Sequence, residues 1–322
     1  MDKCVLEDVS LVVCARNEGK NIADKIENLL AVDKNNPIRE IIIVDDNSTD
    51  KTSEISTSYA KKNGKVITVK NIYKRGKWGA IVTGFGMAQG EVVCITDADV
   101  LFEEETLERA LRLFDNPLVG GVTGNQKNVL LSNGIKKRAS VNFYERCMNF
   151  FRSLTSKIDS TISFHGQCML IRKKSLELPE DGIMADDVYI AINLRKNGYR
   201  VLFCENAYYI EEMTPVYSKN SKMIFRRRAR AIAEAMIKNV NLLFNPKYKN
   251  FGFICFPLYF FLYIVFPFLV VITSVSIALL LAYHKYMLLL TIFILLLIGG
   301  RNLLMMAWFQ MVSTIEYMLS PT

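Results

Sequence analysis

The chain has 322 residues, 51% of them hydrophobic, which suffices for one domain of about 200–250 residues plus a smaller part. Residues 1–218 hold 29 Lys and Arg against 30 Asp and Glu, whereas residues 219–322 hold 11 against 2 and so carry the whole net charge of +8. Nine of those eleven lie between Lys219 and Lys249, directly before a long apolar run, which points to an anionic membrane surface and away from nucleic acid as a partner. Seven cysteines without a C-x-x-C pair exclude a zinc or disulfide framework. Cys94, Cys168 and Cys204 sit in apolar runs and read as buried thiols in a reducing compartment. Met1–Asp8 is polar, so no signal peptide is expected, and the N-terminal domain is expected in the cytoplasm.

In chain order, Ser10–Cys14 reads as a first strand, followed by helical spacing from Asn17 to Leu30 with Ile22, Ile26, Leu29 and Leu30 on one face. Glu40–Val44 is a second strand ending in Asp45-Asp46-Asn47-Ser48-Thr49-Asp50. A helix over Lys51–Lys62 follows, with Asp50 or Thr49 as its N-cap. Lys65–Val69 is a third strand, Lys77–Gln89 a third helix, Glu91–Thr96 a fourth strand, and Phe102–Phe114 a further helix. Strands alternating with helices of this length imply a parallel sheet with helices on both faces. The stretch Gly84-Phe85-Gly86-Met87-Ala88-Gln89-Gly90 loosely mimics a dinucleotide-binding loop, but it closes a helix instead of opening one. Its glycines read as close helix–sheet packing and a C-cap.

Three acid-bearing tips fall at strand ends: Asn17-Glu18, Asp45-Asp46 and Asp97-Ala98-Asp99. In a parallel sheet those ends share one edge, where ligands of open α/β sheets bind. Asp97 and Asp99 are paired hard-oxygen donors, suited to Mg²⁺ or Mn²⁺ bridging a diphosphate; alone, Asp-x-Asp reads equally well as a solvated turn. Lys77 can add a cation beside the phosphates.

Four stretches in order, Val13-Cys14-Ala15-Arg16-Asn17-Glu18, Ile43–Asp50, Gly76-Lys77-Trp78-Gly79-Ala80 and Asp97-Ala98-Asp99, together resemble a family 2 glycosyltransferase of the GT-A fold from about Ser10 to Ala231. The resemblance implies an α/β fold: a Rossmann-like, mostly parallel sheet with helices on both faces, then an interfacial helix and C-terminal transmembrane helices. It implies a UDP- or GDP-sugar donor and Mn²⁺ or Mg²⁺. Donor contacts fall to Ala15, Glu18, Asp46, Lys77, Asp97, Ala98 and Asp186, and the metal to Asp99 with Asp97. Ser163–Arg172 resembles the family's glycine turn and strand beside the sugar, which adds Gly166 and Gln167; His165 reads as structural or sugar-contacting in preference to catalytic. Asp186-Asp187 matches the family's acidic pair before a helix. Asp187 is the expected general base, kept ionised by the helix N-terminus, in a single displacement with inversion. The bland alternative is that both aspartates merely cap that helix.

Processive polysaccharide synthases carry Gln-x-x-Arg-Trp farther on. Here Arg230 keeps the arginine, but Arg227 and Ala231 replace the glutamine and tryptophan. Both arginines are expected to bind the diphosphate, or the phosphate of a lipid acceptor, or to lie in a basic interfacial helix. Phe251–Tyr283 carries no charge and suits one membrane span, with or without a break at Pro257. Tyr286–Gly300 continued through Leu303–Met311 is a less regular second segment, in which Arg301 needs a polar partner. The expected organisation is a catalytic domain over 1–218, a basic interfacial region over 219–250 and a transmembrane region over 251–322. The expected protein is a multi-pass cell-membrane enzyme that transfers a sugar to a lipid-linked or glycan acceptor. The alternatives are a processive synthase or a non-catalytic nucleotide-sugar-binding membrane protein. A nucleotidyltransferase would need a glycine-rich loop after the first strand, and Ala15–Gly19 does not supply one.

Overall fold

The structure, a computed structural model, describes residues 8–32, 38–74, 76–132, 135–138, 143–179, 185–212, 219–284, 293–294 and 305–317. The chain divides into two compact units, Met1–Thr214 and Pro215–Thr322.

The first unit opens with β1 (Val9–Ala15), α1 (Ile22–Val32), β2 (Ile38–Asp45), α2 (Thr52–Lys62), β3 (Val66–Lys70), α3 (Lys77–Met87) and β4 (Val92–Asp97). It continues with β5 (Val100–Phe102), α4 (Thr106–Leu111), β6 (Val119–Ser132), β7 (Ile135–Arg138), α5 (Phe143–Ile158), β8 (Met169–Arg172), α6 (Asp186–Lys196) and β9 (Arg200–Glu212). The strand order is β3-β2-β1-β4-β8-β6-β9-β5, with β7 paired to β6. The first four strands are parallel, as the sequence predicts. Beyond β4 the sheet is mixed: β8 runs antiparallel to both β4 and β6, while β6 and β9 are parallel.

Alternation along β1 explains the two helical layers. Leu11 and Val13 pack with Ile22, Ile26 and Leu29 of α1. Val12, pointing the other way, packs with Ile81 and Phe85 of α3 and belongs to the cluster that also holds Ile190 and Leu194 of α6. All of these side chains are buried, so each layer removes a continuous apolar stripe from water.

Several boundaries differ from the sequence reading for local reasons. α1 begins at Ile22 instead of Asn17, because Asn17 is left-handed (φ 57°) and the Glu18 carbonyl accepts the N–H groups of Asn21 and Ile22. The predicted helix Phe102–Phe114 is replaced by β5, α4 and a 3₁₀ turn over Arg112–Asp115. Phe102 is held extended by pairing with Tyr209 and by the Asn28 side chain. Asp50 caps α2 from one position earlier than the flanking Lys51, accepting the Thr52 N–H at 3.0 Å. α3 ends at Ala88, so no glycine caps it, but the packing role of Gly84 holds. A Cβ at Gly84 would lie 2.2 Å from Val12 Cγ1.

The sequence reading passed over β6, β7, α5 and β9. The run Val119-Gly120-Gly121-Val122-Thr123-Gly124 has three glycines interrupting the β-branched residues that would mark a strand. It is a strand because crowding requires it: a Cβ on Gly121 would meet the Phe164 ring at 2.6 Å, and one on Gly124 would meet the Ala207 carbonyl at 2.7 Å.

The second unit holds α7 (Lys219–Lys238) and an apolar helix, Phe251–Leu280, of 30 residues, long and apolar enough to cross a membrane. That helix runs through Pro257 without a break. Its turns widen to π-type geometry over Phe251–Cys255 and Phe261–Val265, each just before a Phe-Pro pair. A proline ring clashes with the carbonyl four residues back, and the wide turn relieves that clash. Residues 305–317 are helical; Glu316 pairs with Arg226 and Gln310 donates to the Ala229 carbonyl at 3.0 Å. Lys285, most of the expected second segment Tyr286–Gly300, Arg301 and the start of its continuation lie outside the described residues.

Gly84→Ala should destabilise the protein by about 1–3 kcal/mol through overpacking against Val12. Thermal unfolding of the full chain in detergent checks this; an unchanged transition would mean that α3 can move away from the sheet without loss.

Candidate active site

Parallel pairing brings the predicted tips together. In register, Ala15 lies opposite Asp45 and Cys14 opposite Asp97, so the ends of β2 and β4 flank the end of β1.

The first two tips are laced to each other. The Asn17 N–H donates to Ser48 Oγ (3.0 Å), and Asn17 Oδ1 accepts the Thr49 N–H (2.8 Å). The Glu18 N–H donates to Thr52 Oγ1 (2.8 Å), and the Gly19 N–H to Asp50 Oδ2 (2.9 Å). Asn17 and Asn47 both adopt φ near +55°, a region asparagine tolerates. Ala15 is buried, and its carbonyl accepts the Asp46 N–H.

Asp46 is buried and committed. Its Oδ1 accepts from Asn71 Nδ2 (2.7 Å) and its Oδ2 from the Gly76 N–H (2.9 Å), with Arg16 at 3.9 Å. It therefore anchors the loop that opens α3. Sequence reading missed Asn71, although it follows the end of β3 and obeys the same strand-end rule as the other tips.

Lys77, the first residue of α3, is the cation of the site. Its Nζ lies 2.7 and 2.9 Å from the two Asp97 oxygens and donates to the Gly166 carbonyl at 3.2 Å. Burial alone would lower the Lys77 pKa, but Asp97 and Asp186 more than offset that and hold it above the usual lysine range. Ala98 is buried between the two acids. Asp99 is exposed, and only its own backbone N–H bonds its carboxylate among the described residues. Partial desolvation and then Asp97 push its carboxyl up. Burial does the same to Glu18, with Asp99 and Asp97 adding to it and the Asn21 amide opposing. A donor set of one open carboxylate, Asp99, beside the Lys77-paired Asp97 fits a hard divalent cation that takes its remaining oxygens from phosphates and water.

Asp186 and Asp187 occupy the first turn of α6, just after the N-cap position Ala185, and their carboxylates accept backbone N–H groups of that turn. Asp186 Oδ2 is buried without a hydrogen-bond partner. Burial raises the Asp186 carboxyl, and Lys77 opposes the shift. Asp187 is raised to about 6 by burial and then by Asp186; the Val188 N–H, Lys77 and Arg152 act against this. The helix N-terminus favours the ionised form of this carboxylate, as read from the sequence. Burial outweighs it, and the result is a carboxylate ionised at neutral pH yet basic enough to take a proton.

His165 is buried, and burial, then Arg152, keeps it neutral. Its Nε2 lies 3.1 Å from Asn149 Oδ1, to which Arg152 Nη1 also donates at 2.9 Å. Arginine can only donate, so the Asn149 oxygen faces both groups and the His165 proton sits on Nε2. These bonds fit the structural one of the two readings given for His165 above. Gln167 donates to Glu211 (3.4 Å) and lies within 3.5 Å of the Tyr209 hydroxyl. Arg152, inside an amphipathic helix, gave no sequence signal. Arg227 and Arg230 are exposed on α7 of the second unit.

Residues 10–178 match the family Glycosyl transferase family 2. The chain belongs to this family. It is similar to a poly-β-1,6-N-acetyl-D-glucosamine synthase of Staphylococcus epidermidis, 28% identical over 204 residues, which is 62% of this chain and 48% of that protein. It is also similar to a β-monoglucosyldiacylglycerol synthase of Nostoc sp., 35% identical over 116 residues, 35% of this chain and 25% of that protein. The matched regions thus span about half of these curated relatives or less. Among solved structures, the fold matches the mannosyltransferase PcManGT from Pyrobaculum calidifontis in complex with GDP-Man and Mn²⁺ (TM-score 0.76, 22% identity, 97% of this chain and 87% of that one). It also matches S. aureus TarS in complex with UDP-GlcNAc (TM-score 0.50, 22% identity, 71% and 66%). At these identities the two structures establish the GT-A-like fold.

Lys77→Met should leave Asp97 without its paired cation, and should raise the proton affinity of Asp186 in the folded state by removing the charge that opposes its upward shift. By linkage, a folded state that binds protons more readily gains stability as pH falls. The melting-temperature deficit of the variant should therefore shrink from pH 8 to pH 5. A deficit independent of pH would show that Lys77 matters for packing and not for charge.

Proposed function

We propose that this family 2 glycosyltransferase is a membrane-anchored, metal-dependent inverting enzyme that moves a hexosyl group from a UDP- or GDP-sugar to a lipid-linked or glycan acceptor. The observation that carries the reading is the convergence on one sheet edge of a lysine-paired aspartate, an open aspartate and a buried aspartate with its pKa near 6. The catalytic domain is proposed to span 1–218, the interfacial region 219–250 and the membrane region 251–322.

On this reading the laced loops around Glu18 and Asp46 hold the nucleoside. Lys77 and Asp97 orient the diphosphate and ribose or sugar, Gly166 and Gln167 border the sugar, and Ala15 and Ala98 let the ligand approach the backbone. Asp99, with Asp97, would hold Mn²⁺ or Mg²⁺, which when bound offsets the charge of the departing diphosphate. Asp187 takes the proton from the acceptor hydroxyl as its oxygen attacks the anomeric carbon from the face opposite the diphosphate, which inverts the configuration. Asp186, whose buried oxygen lacks a partner, accepts a hydroxyl hydrogen from substrate.

Anchoring is assigned to Phe251–Leu280. At about 1.5 Å per residue its 30 residues exceed the ~30 Å hydrocarbon core, so its aromatic-rich first half suits the interface. The basic residues before it place that end on the cytoplasmic side, and 286–311 is proposed as a further crossing. Arg227 and Arg230 meet phosphate, of the donor or of lipid.

Calorimetric titration of the detergent-solubilised protein with nucleotide sugars, with and without Mn²⁺, tests the donor. Metal-dependent binding of one nucleoside series is expected; no binding by folded protein would overturn the reading. Asp187→Asn should cut transfer by roughly 10²–10⁴-fold with donor affinity retained, and undiminished turnover would remove Asp187 from the base role. Because Asp187 acts only when ionised, kcat/KM should rise with pH up to about 6 and then level off. A profile flat through that range would contradict the assignment. Product length separates single transfer from processive synthesis.

A further inference from the structure

Helix α1 carries two polar side chains toward the sheet that no step above uses. Lys25 is fully buried. Its Nζ donates to Thr96 Oγ1 at 2.9 Å and to the Val100 carbonyl at 2.6 Å, and it lies 4.4 Å above the Phe102 ring. Asn28, three residues on, bonds both backbone groups of Phe102: the Phe102 N–H donates to Oδ1 (2.8 Å) and Nδ2 donates to the carbonyl (2.9 Å). Thr96 and Val100 are the residues on either side of Asp97-Ala98-Asp99. One buried ammonium therefore ties both ends of that turn, and one amide fixes the strand that leaves it.

A buried lysine is costly, and a leucine or methionine would pack against Ile26 and Phe102 without that cost. Burial lowers the Lys25 pKa to about 8, with no carboxylate in hydrogen-bond contact to offset it, and at pH 7 the group remains a cation with hydrogens to donate. What the ammonium adds over an apolar side chain is directional. It satisfies the buried Thr96 hydroxyl and the Val100 carbonyl, at the two ends of the turn, with one group. It also puts a positive charge beneath two like-charged carboxylates that otherwise push each other apart.

We infer that Lys25, with Asn28 as second anchor, is a positioning residue for the Asp97–Asp99 turn, fixing the spacing of the two carboxylates for a divalent-cation-bound nucleoside diphosphate. The ligand named rests on the reading given under Proposed function; the anchoring does not. The role is one of geometry, since Lys25 touches neither carboxylate and no substrate.

The test uses the full-length protein in detergent with Lys25→Met, Asn28→Ala and Thr96→Val. Hydrogen exchange read by mass spectrometry needs no ligand. Peptides covering 96–102 should exchange about tenfold faster in Lys25→Met while β1 and β2 peptides keep their protection. Mn²⁺ electron paramagnetic resonance with UDP or GDP should show diphosphate-dependent Mn²⁺ binding weakened about tenfold. Affinity for the bare nucleoside should be unchanged, a selectivity that general destabilisation would not produce. Combining Lys25→Met with Thr96→Val should add little to Lys25→Met alone, because both remove the same bond. If Lys25→Met fails to fold, Asn28→Ala carries the test with the same selectivity and a smaller loss. Unchanged exchange over 96–102, or equal losses for nucleoside and nucleoside diphosphate, overturns the role of Lys25. Wild-type protein that binds no nucleoside diphosphate overturns the functional reading instead, and the exchange data still decide whether Lys25 anchors the turn.

Discussion

Like charges crowded onto one sheet edge are the constraint from which the rest of the catalytic unit follows. Parallel pairing of β2, β1 and β4 ends three strands side by side, so their acidic tips meet whether or not this is electrostatically comfortable. The crowding is visible in Glu18, Asp99, Asp186 and Asp187, all with carboxyls pushed upward. Lys77 is the cation that pairs with Asp97 at this edge, and its placement is mechanical. Gly76 adopts φ 131°, which a side chain would disfavour, and its N–H is held by Asp46. Asp46, Gly76, Lys77 and Asp97 thus form a chain of contacts from β2 through the start of α3 to the end of β4.

The polar investment lies mostly behind the carboxylates. Asp46, Asn71, His165, Asn149 and Lys25 spend their hydrogen bonds on backbone or on other side chains, while Asp99 accepts from no other described residue and one oxygen of Asp186 from none. That division suits a binding edge: the groups that hold geometry are saturated, and those that face a ligand are open. The mixed half of the sheet contributes by the same logic. β8 brings the turn at Gly166 under Lys77, and α6 starts where its first two side chains enter the charged cluster.

The parallel half of this fold was legible because each strand is a short apolar run and each helix shows 3.6-residue spacing. The acid tips were legible because strand ends in such sheets share an edge. What was not legible came from contacts between distant segments. Phe102 looks helical by spacing, but Asn28 and Tyr209 hold it extended from 74 and 107 residues away in the chain. The strand through Gly120, Gly121 and Gly124 has a pattern broken by glycines, because those positions answer to Tyr199, Phe164 and Ala207. Lys25 looks like a solvated helix residue among Ile22, Ile26 and Leu29, and only the position of Thr96 reveals why it is buried. For Asp187, position and an ionised carboxylate at neutral pH were readable but the raised pKa was not, since burial and the neighbouring Asp186 outweigh the helix end.

The lacing of the first two loops has a thermodynamic consequence. With Asn17, Glu18 and Gly19 each tied to the loop after β2, both loops hold their shape through four separate backbone-to-side-chain bonds before any ligand arrives. Segments ordered in advance lose little conformational freedom on association, so that side of the crevice contributes contact enthalpy with a small entropic penalty. On the proposed reading, discrimination there would work by rigid rejection, since a ligand of the wrong outline would meet loops that yield only by breaking several bonds at once.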